Sequence, residues 1–126
     1  MSIPNDLKYL SSHEWVKEED GQYVIGITDF AQSELSDIVF INLPNVGDDI
    51  ETGGVLAEVE SVKAVSDILS PVTGVIVAVN EHLLDAPELI NEAPYDAWIA
   101  RVADVTAVDE LLTAEAYAKL IESERA

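Results

Sequence analysis

Glu58-Val59-Glu60-Ser61-Val62-Lys63-Ala64-Val65-Ser66-Asp67 is the stretch that decides the reading of this chain. Strand-like Val55 to Glu60 precedes the lysine, and Ala64 to Ser70 follows it. Ser70-Pro71-Val72-Thr73-Gly74 then turns the chain into another strand. Lys63 is thereby expected at the exposed tip of a hairpin covering about residues 55–70. Between Glu18 and Ala100 the sequence holds 17 carboxylates and a single cation, Lys63. Two readings compete for that isolated lysine. In one it pairs at the surface with Glu60 or Asp67, a contact that stabilises by only about 0–1 kcal/mol. In the other it is displayed to a modifying enzyme. Acylation removes the charge and extends the arm, while rigid flanking strands hold the arm's base in place.

Outward from the hairpin, Gln22 to Ile27, Asp37 to Leu43 and Gly74 to Asn80 are rich in Val and Ile and bounded by Gly, Pro, Asn and Asp, as strands are. Ala97 to Val102 reads as one more. Asp20-Gly21 lies between Trp15-Val16 and Tyr23-Val24-Ile25 and predicts a tight hairpin, because Gly accepts the positive φ such turns need. Asp29-Phe30-Ala31-Gln32 puts a side-chain acceptor at a helix start with a Gln three residues on, predicting a short helix to about Ser36. A last helix is expected over about 113–124, capped by Thr113. Its apolar face is Ala116, Tyr117, Leu120 and Ile121, with Glu115, Lys119 and Glu122 in water. A shift of 33 residues lays Val46, Ile50 and Leu56 over Val79, Leu83 and Leu89, a loose hint of two similar halves. The expectation is a mostly β chain with helical additions, forming one domain over 1–126.

Composition narrows the function. Six Lys plus Arg stand against 25 Asp plus Glu, a formal charge of −19, so the surface repels nucleic acid and anionic lipid and favours partners with basic patches. The same charge also serves solubility alone. With no cysteine, disulfides, thiolate ligands and thiol nucleophiles are excluded, and any sulfur redox must come from an attached group. Met1-Ser2-Ile3-Pro4-Asn5-Asp6 has neither the basic start of a secretory signal nor the arginine-rich pattern of a transit peptide, and the longest apolar run is only Val75 to Val79. A cytoplasmic location, bacterial by default, and no membrane contact are expected.

Several motifs in order carry a resemblance over nearly the entire chain. They are His13-Glu14-Trp15, Gly26-Ile27-Thr28-Asp29-Phe30-Ala31-Gln32, Leu43-Pro44 with Val46-Gly47, Glu60-Ser61-Val62-Lys63-Ala64-Val65-Ser66-Asp67, Ser70-Pro71-Val72-Thr73-Gly74, Pro87-Glu88-Leu89-Ile90-Asn91 and Pro94-Tyr95. Together they resemble the H-protein of the glycine cleavage system. The resemblance implies a lipoyl-domain-like barrel-sandwich hybrid, a flattened β-barrel of two facing sheets with quasi-twofold halves. It identifies Lys63 as the site of a covalent lipoyl amide, with Glu60, Ser61, Val62, Ala64, Ser66 and Asp67 as the attachment motif. It implies a shuttle that takes an aminomethyl group from glycine decarboxylase, a pyridoxal phosphate enzyme, to the tetrahydrofolate-dependent aminomethyltransferase. The flavoenzyme dihydrolipoyl dehydrogenase then reoxidises the arm, and lipoyl-attaching enzymes install it. Ser12, Glu14 and Asp67 match polar positions of the cleft that receives the loaded arm. One departure stands out: Pro94-Tyr95-Asp96-Ala97-Trp98 lacks the family's glycine before the tryptophan and is shortened, so the connection must be built differently.

Other readings fit less well. Biotin carriers flank their lysine with Met, whereas Val62 and Ala64 stand here. Acyltransferase lipoyl domains hang on Ala/Pro linkers, and none occurs in this sequence. A lipoyl relay or acyl-carrier lipoyl protein outside glycine cleavage, and an unmodified interaction module, remain alternatives. An enzyme needs a catalytic constellation, but His13 and His82 are the only histidines and read as packing or surface residues. Asp48-Asp49 with Glu51 lacks the spacing of a calcium loop, so no metal site is expected. The chain is read as a non-catalytic carrier.

Overall fold

The computed structural model describes residues 2–125. In chain order the elements are β1 (Lys8–Tyr9), β2 (Glu14–Glu19), β3 (Gln22–Ile27), α1 (Asp29–Leu35), β4 (Ile38–Asn42), β5 (Asp49–Ile50), β6 (Val55–Ser61), β7 (Val65–Leu69), β8 (Val72–Val79), α2 (His82–Asp85), α3 (Leu89–Glu92), β9 (Ala100–Val108) and α4 (Ala114–Arg125). Asp20 and Gly21 both adopt positive φ, 53° and 77°, and make the two-residue turn that sets Glu19 opposite Gln22. That register runs back to Glu14 opposite Ile27. The pairing continues into a six-stranded sheet ordered β1-β2-β3-β9-β8-β5, and a separate three-stranded sheet is ordered β4-β6-β7.

The two sheets face each other because alternate residues of each are apolar. Val16, Ile25, Ile76 and Val102 of the larger sheet join Ile38, Ile41, Val59 and Ile68 of the smaller in one buried cluster, with Leu83 of α2 and Ile90 of α3 beside them. The intervening residues Trp15 and Val24 point to the other side of the large sheet. There they pack with Leu7, Tyr9 and Phe30 beneath Ala114, Tyr117 and Ile121 of α4. The architecture is a flattened sandwich of two sheets with a second apolar layer under the C-terminal helix. At Gly26, opposite Trp15, an added Cβ would lie 2.5 Å from the indole ring, so this strand position admits no side chain without displacing it.

Several boundaries differ from the sequence reading, each for a local reason. The N-cap of α1 is Thr28, whose hydroxyl accepts from Ala31 N–H at 3.2 Å. Asp29 is the first helical residue, and its carboxylate accepts from the Gln32 amide. Thr113 does cap α4, accepting from Ala116 N–H at 3.2 Å. The face α4 buries is Ala114, Tyr117 and Ile121, with Leu120 half-buried and Ala116 exposed. The last strand begins at Ala100 and runs to Val108, because Ala107 and Val108 find partners in Thr73 and Val72. The 33-residue offset does not relate like elements. Ile50 and Leu56 lie in strands, whereas Leu83 and Leu89 lie in helices α2 and α3.

The segment without glycine before Trp98 is closed by helical-type turns, Asp96 N–H and Ala97 N–H both donating to Ala93 C=O at 3.0 and 2.9 Å. The positive-φ residues among those described are elsewhere, so this connection needs no left-handed backbone and hence no glycine. Trp15 Nε1–H donates to Pro94 C=O at 3.0 Å and ties the turn to the large sheet.

Candidate functional site

Lys63 stands at the tip joining β6 and β7. The tip is held almost entirely by backbone and one serine. Ser61 N–H donates to Ala64 C=O at 2.8 Å, and Ser61 Oγ accepts from the N–H groups of Lys63 and Ala64, each at 3.1 Å. This is why a serine two residues before the lysine suits the position: its side chain satisfies two amides that the narrow turn leaves without strand partners. Val62 N–H donates to Asp37 C=O at 3.0 Å, which fastens the tip to the α1–β4 connection.

The Lys63 side chain is exposed, and its ammonium donates to the backbone C=O of Glu34 at 3.0 Å. That carbonyl belongs to the last turn of α1, where helical carbonyls lack intrahelical donors and the helix dipole favours a cation. Among the described residues ion pairs join Glu19 to Lys17 and Arg101, and Glu115 to Lys119, and His13 Nε2 lies 3.1 Å from the Glu124 carboxylate. Lys63 takes part in none of them. The surface pairing with Glu60 or Asp67 is therefore not formed, although Glu60 and Asp67 lie on the same hairpin, opposite Val65 and Glu58 respectively. Ser66 is half-buried opposite Val59, and Val62 and Ala64 are exposed.

Of the three cleft candidates, the structure brings two together. Ser12 Oγ–H donates to the Glu14 carboxylate, and the other carboxylate oxygen accepts from Leu69 N–H at 2.7 Å. β7 is the edge of the small sheet, so Leu69 offers an amide with no strand partner on that side, and Glu14 supplies the acceptor. Asp67 is exposed on the same strand two residues before Leu69, and no hydrogen bond among the described residues joins it to Ser12 or Glu14. Beside Ser12 and Leu69 opens a cavity of about 480 Å³, also bordered by Leu10, Gly53, Ser70 and Leu112.

Glu14 is only 2% exposed, and burial pushes its carboxyl above the ordinary range, against the opposing pull of the Ser12 and Leu69 hydrogen bonds. A carboxyl with a raised folded-state value contributes stability that is present below the unfolded value and lost as pH rises through the folded one. Glu14→Gln keeps an acceptor for Leu69 N–H. Its melting temperature is expected to fall less than that of the parent chain between about pH 4 and pH 7, and to equal or exceed it at the upper end. Thermal unfolding across that range checks this; a difference between the two proteins that does not change with pH contradicts it.

The loop carrying Ser12 and Glu14 is fixed by groups the sequence reading left aside. His13 has φ 80°, a left-handed backbone uncommon for a residue with a side chain. It is held there by His13 N–H to Leu10 C=O and Thr28 N–H to His13 C=O, both 3.0 Å. Its Nδ1 lies 2.8 Å from the Tyr117 hydroxyl, which is also 2.6 Å from Thr28 Oγ1, and its Nε2 lies 3.1 Å from Glu124. Tyr117 is fully buried and stacks on Tyr9 with ring centroids 4.5 Å apart. Helix α4 thus clamps the loop that presents Glu14. His82, by contrast, is exposed on α2.

These features define the class: a small two-sheet β domain built around a protruding hairpin with a lysine at its tip. The family model described as Glycine cleavage H-protein matches residues 7–124. A glycine cleavage system H protein of Bacillus cytotoxicus is 57% identical over 123 residues, 95% of this chain and 97% of that one. One from Listeria monocytogenes is 54% identical over 125 residues, 97% of this chain and 100% of its own. A crystal structure of a glycine cleavage system H protein from Mycobacterium marinum superposes with a TM-score of 0.90 at 42% identity, covering 95% and 99% of the two chains. The chain belongs to the glycine cleavage H-protein family.

Proposed function

We propose that residues 1–126 act as one carrier domain of the glycine cleavage system, with lipoate bound as an amide to Lys63. The observation that carries this reading is a hairpin-tip lysine whose amine has no carboxylate partner among the described residues, in a chain of the H-protein family. The residues present suit the group. The amine is exposed, and its tether to Glu34 C=O is a single surface hydrogen bond. When bound, the lipoyl group supplies a dithiolane that accepts and releases the aminomethyl unit, chemistry that a chain without cysteine has no thiols of its own to perform.

The chain's own part is non-catalytic. Ser61 holds the tip turn, so the arm's base stays in one place while the arm itself moves. Ser12 and Glu14 lie beside the free edge of β7 and offer a buried acceptor for an ammonium on the returning arm, with Asp67 further along the same strand. Keeping water from that amine slows its loss. The partners are glycine decarboxylase, aminomethyltransferase, dihydrolipoyl dehydrogenase and the lipoyl-attaching enzymes, and the compartment is the cytoplasm. No helix among the described residues is long and apolar enough to cross a membrane.

Intact mass and peptide mapping of protein from cells supplied with lipoate test the reading. A lipoyl adduct on Lys63 is expected. A biotin adduct redirects the chain to carboxylase chemistry, and a bare lysine in cells with a working lipoylation system overturns the proposal. For the cleft, Glu14→Ala is expected to shorten the lifetime of the loaded carrier by about tenfold, the loss of one charge-assisted contact of about 1.4 kcal/mol. An unchanged lifetime removes Glu14 from that role.

A further inference from the structure

The outer face of the small sheet carries an irregularity beside Lys63. β4 and β6 pair Ile38 with Ser61 and then Phe40 with Glu60, leaving Val39 as an extra residue with no opposite number. A bulge sets two residues of one strand against one of its neighbour and re-aims their side chains. Here both residues are large and apolar, and both are more than half exposed. The row continues across the sheet, since Phe40 lies opposite Glu60 and Glu60 opposite Val65, which is also more than half exposed. Val62 at the tip is the most exposed of the large apolar residues described. Their neighbours Ile41 and Val59 point inward and are buried. Val39 and Phe40, adjacent and left in water by a strand that buries its other face, mark an interaction site, with Val65 beyond Glu60 on the same row.

The next row outward is acidic. Glu58 lies directly opposite Asp67, a juxtaposition of like charges that destabilises a strand pair. No cation among the described residues relieves it, because the Lys63 amine is turned to Glu34 C=O. Strands lie about 4.8 Å apart, so the three strands of this face span only about 10 Å. An enzyme that approaches Lys63 over this face covers the Val39–Phe40 bulge and meets Glu58, Glu60 and Asp67 at the same time.

We propose that this face is the docking surface for the enzyme that acylates Lys63, and that this enzyme offers an apolar recess for Val39 and Phe40 within a rim of Lys and Arg. The inference rests on the lipoyl-carrier reading. In the reaction the neutral Lys63 amine attacks the acyl carbon of lipoate activated as a mixed anhydride with AMP. The C–N bond forms, the C–O bond to AMP breaks, the amine proton passes to solvent, and nothing is oxidised or reduced. The apolar centre supplies most of the affinity and the acidic rim steers the encounter.

The test uses unmodified full-length protein, a purified lipoate ligase, lipoate and ATP, with the initial rate read from the mass gained at Lys63. Val39→Thr with Phe40→Ser is expected to raise KM about tenfold with kcat unchanged, the scale of losing a buried aromatic anchor. Glu58→Gln with Glu60→Gln is expected to lower kcat/KM and flatten its dependence on salt. Val77→Thr with Leu84→Ser, exposed apolar residues outside the bulge, should match the parent chain. Unchanged kinetics in the bulge variant with normal acylation of the parent overturn the docking surface and leave the carrier reading standing. Failure of the parent chain to be acylated at Lys63 overturns both. Parent protein that sediments as a dimer and dissociates on the bulge substitutions, with acylation unaffected, assigns the patch to a second copy and also overturns the proposal.

Discussion

Lys63→Arg is expected to abolish carrier activity outright while leaving the fold intact. The guanidinium stays protonated at any working pH and does not form the amide, so no arm is attached and the reconstituted glycine cleavage assay falls to its level without carrier. The positive charge survives, and the arginine keeps donors for Glu34 C=O, the acceptor of the one hydrogen bond that the lysine ammonium makes among the described residues. An exposed substitution of this kind shifts stability by no more than about 0.5 kcal/mol, within a few degrees of melting temperature. The result to look for is a correctly folded protein, by circular dichroism and melting, that carries no lipoyl adduct and supports no glycine oxidation. Retained activity in the arginine variant would mean that the functional group sits elsewhere on the chain.

The largest stability effect is expected from Tyr117→Ala. Tyr117 is fully buried, stacks on Tyr9 and bonds through its hydroxyl to Thr28 and His13. Truncation removes a large ring from the layer between α4 and the six-stranded sheet and leaves two polar partners without their bond. Substitutions of this type cost about 3–5 kcal/mol, a fall in melting temperature of roughly 10 °C or more for a chain this size. Tyr117→Phe keeps the stack and loses only the hydroxyl, costing about 1–2 kcal/mol. The ordering Ala well below Phe, and Phe below the parent chain, is what thermal unfolding should show. An alanine variant within a few degrees of the parent would mean that α4 contributes little to the fold. Since His13 sits between Ser12 and Glu14, the same variant should also shorten the lifetime of the loaded carrier.

The hairpin around Lys63, the Asp20-Gly21 turn and the Gln22–Ile27 strand were legible because each rests on neighbours in sequence: turn residues with special φ, or a run of β-branched residues between breakers. The two-residue strands β1 and β5 and the four-residue helices α2 and α3 left no comparable trace. Elements so short have no period to read, and they form only because a larger surface supplies their partners. Tyr9 N–H, for example, donates to Leu112 C=O across the whole chain length. The cap of α1 is Thr28, one residue before the acceptor at Asp29 that the sequence pattern favours, because both are good acceptors and the choice between them depends on where β3 ends.

The candidate functional residues divide along the same line. That Lys63 is the lone cation of a long acidic segment, and that any redox sulfur must be brought by a cofactor, follow from the sequence alone. That Glu14 is buried against Leu69, that Tyr117 and His13 clamp its loop, and that a bulge turns Val39 and Phe40 outward were decided only by tertiary structure. The physical reason is range. A turn or a displayed lysine is set by a few adjacent residues, whereas burial, a shared proton donor and a strand register exist only once segments tens of residues apart have met.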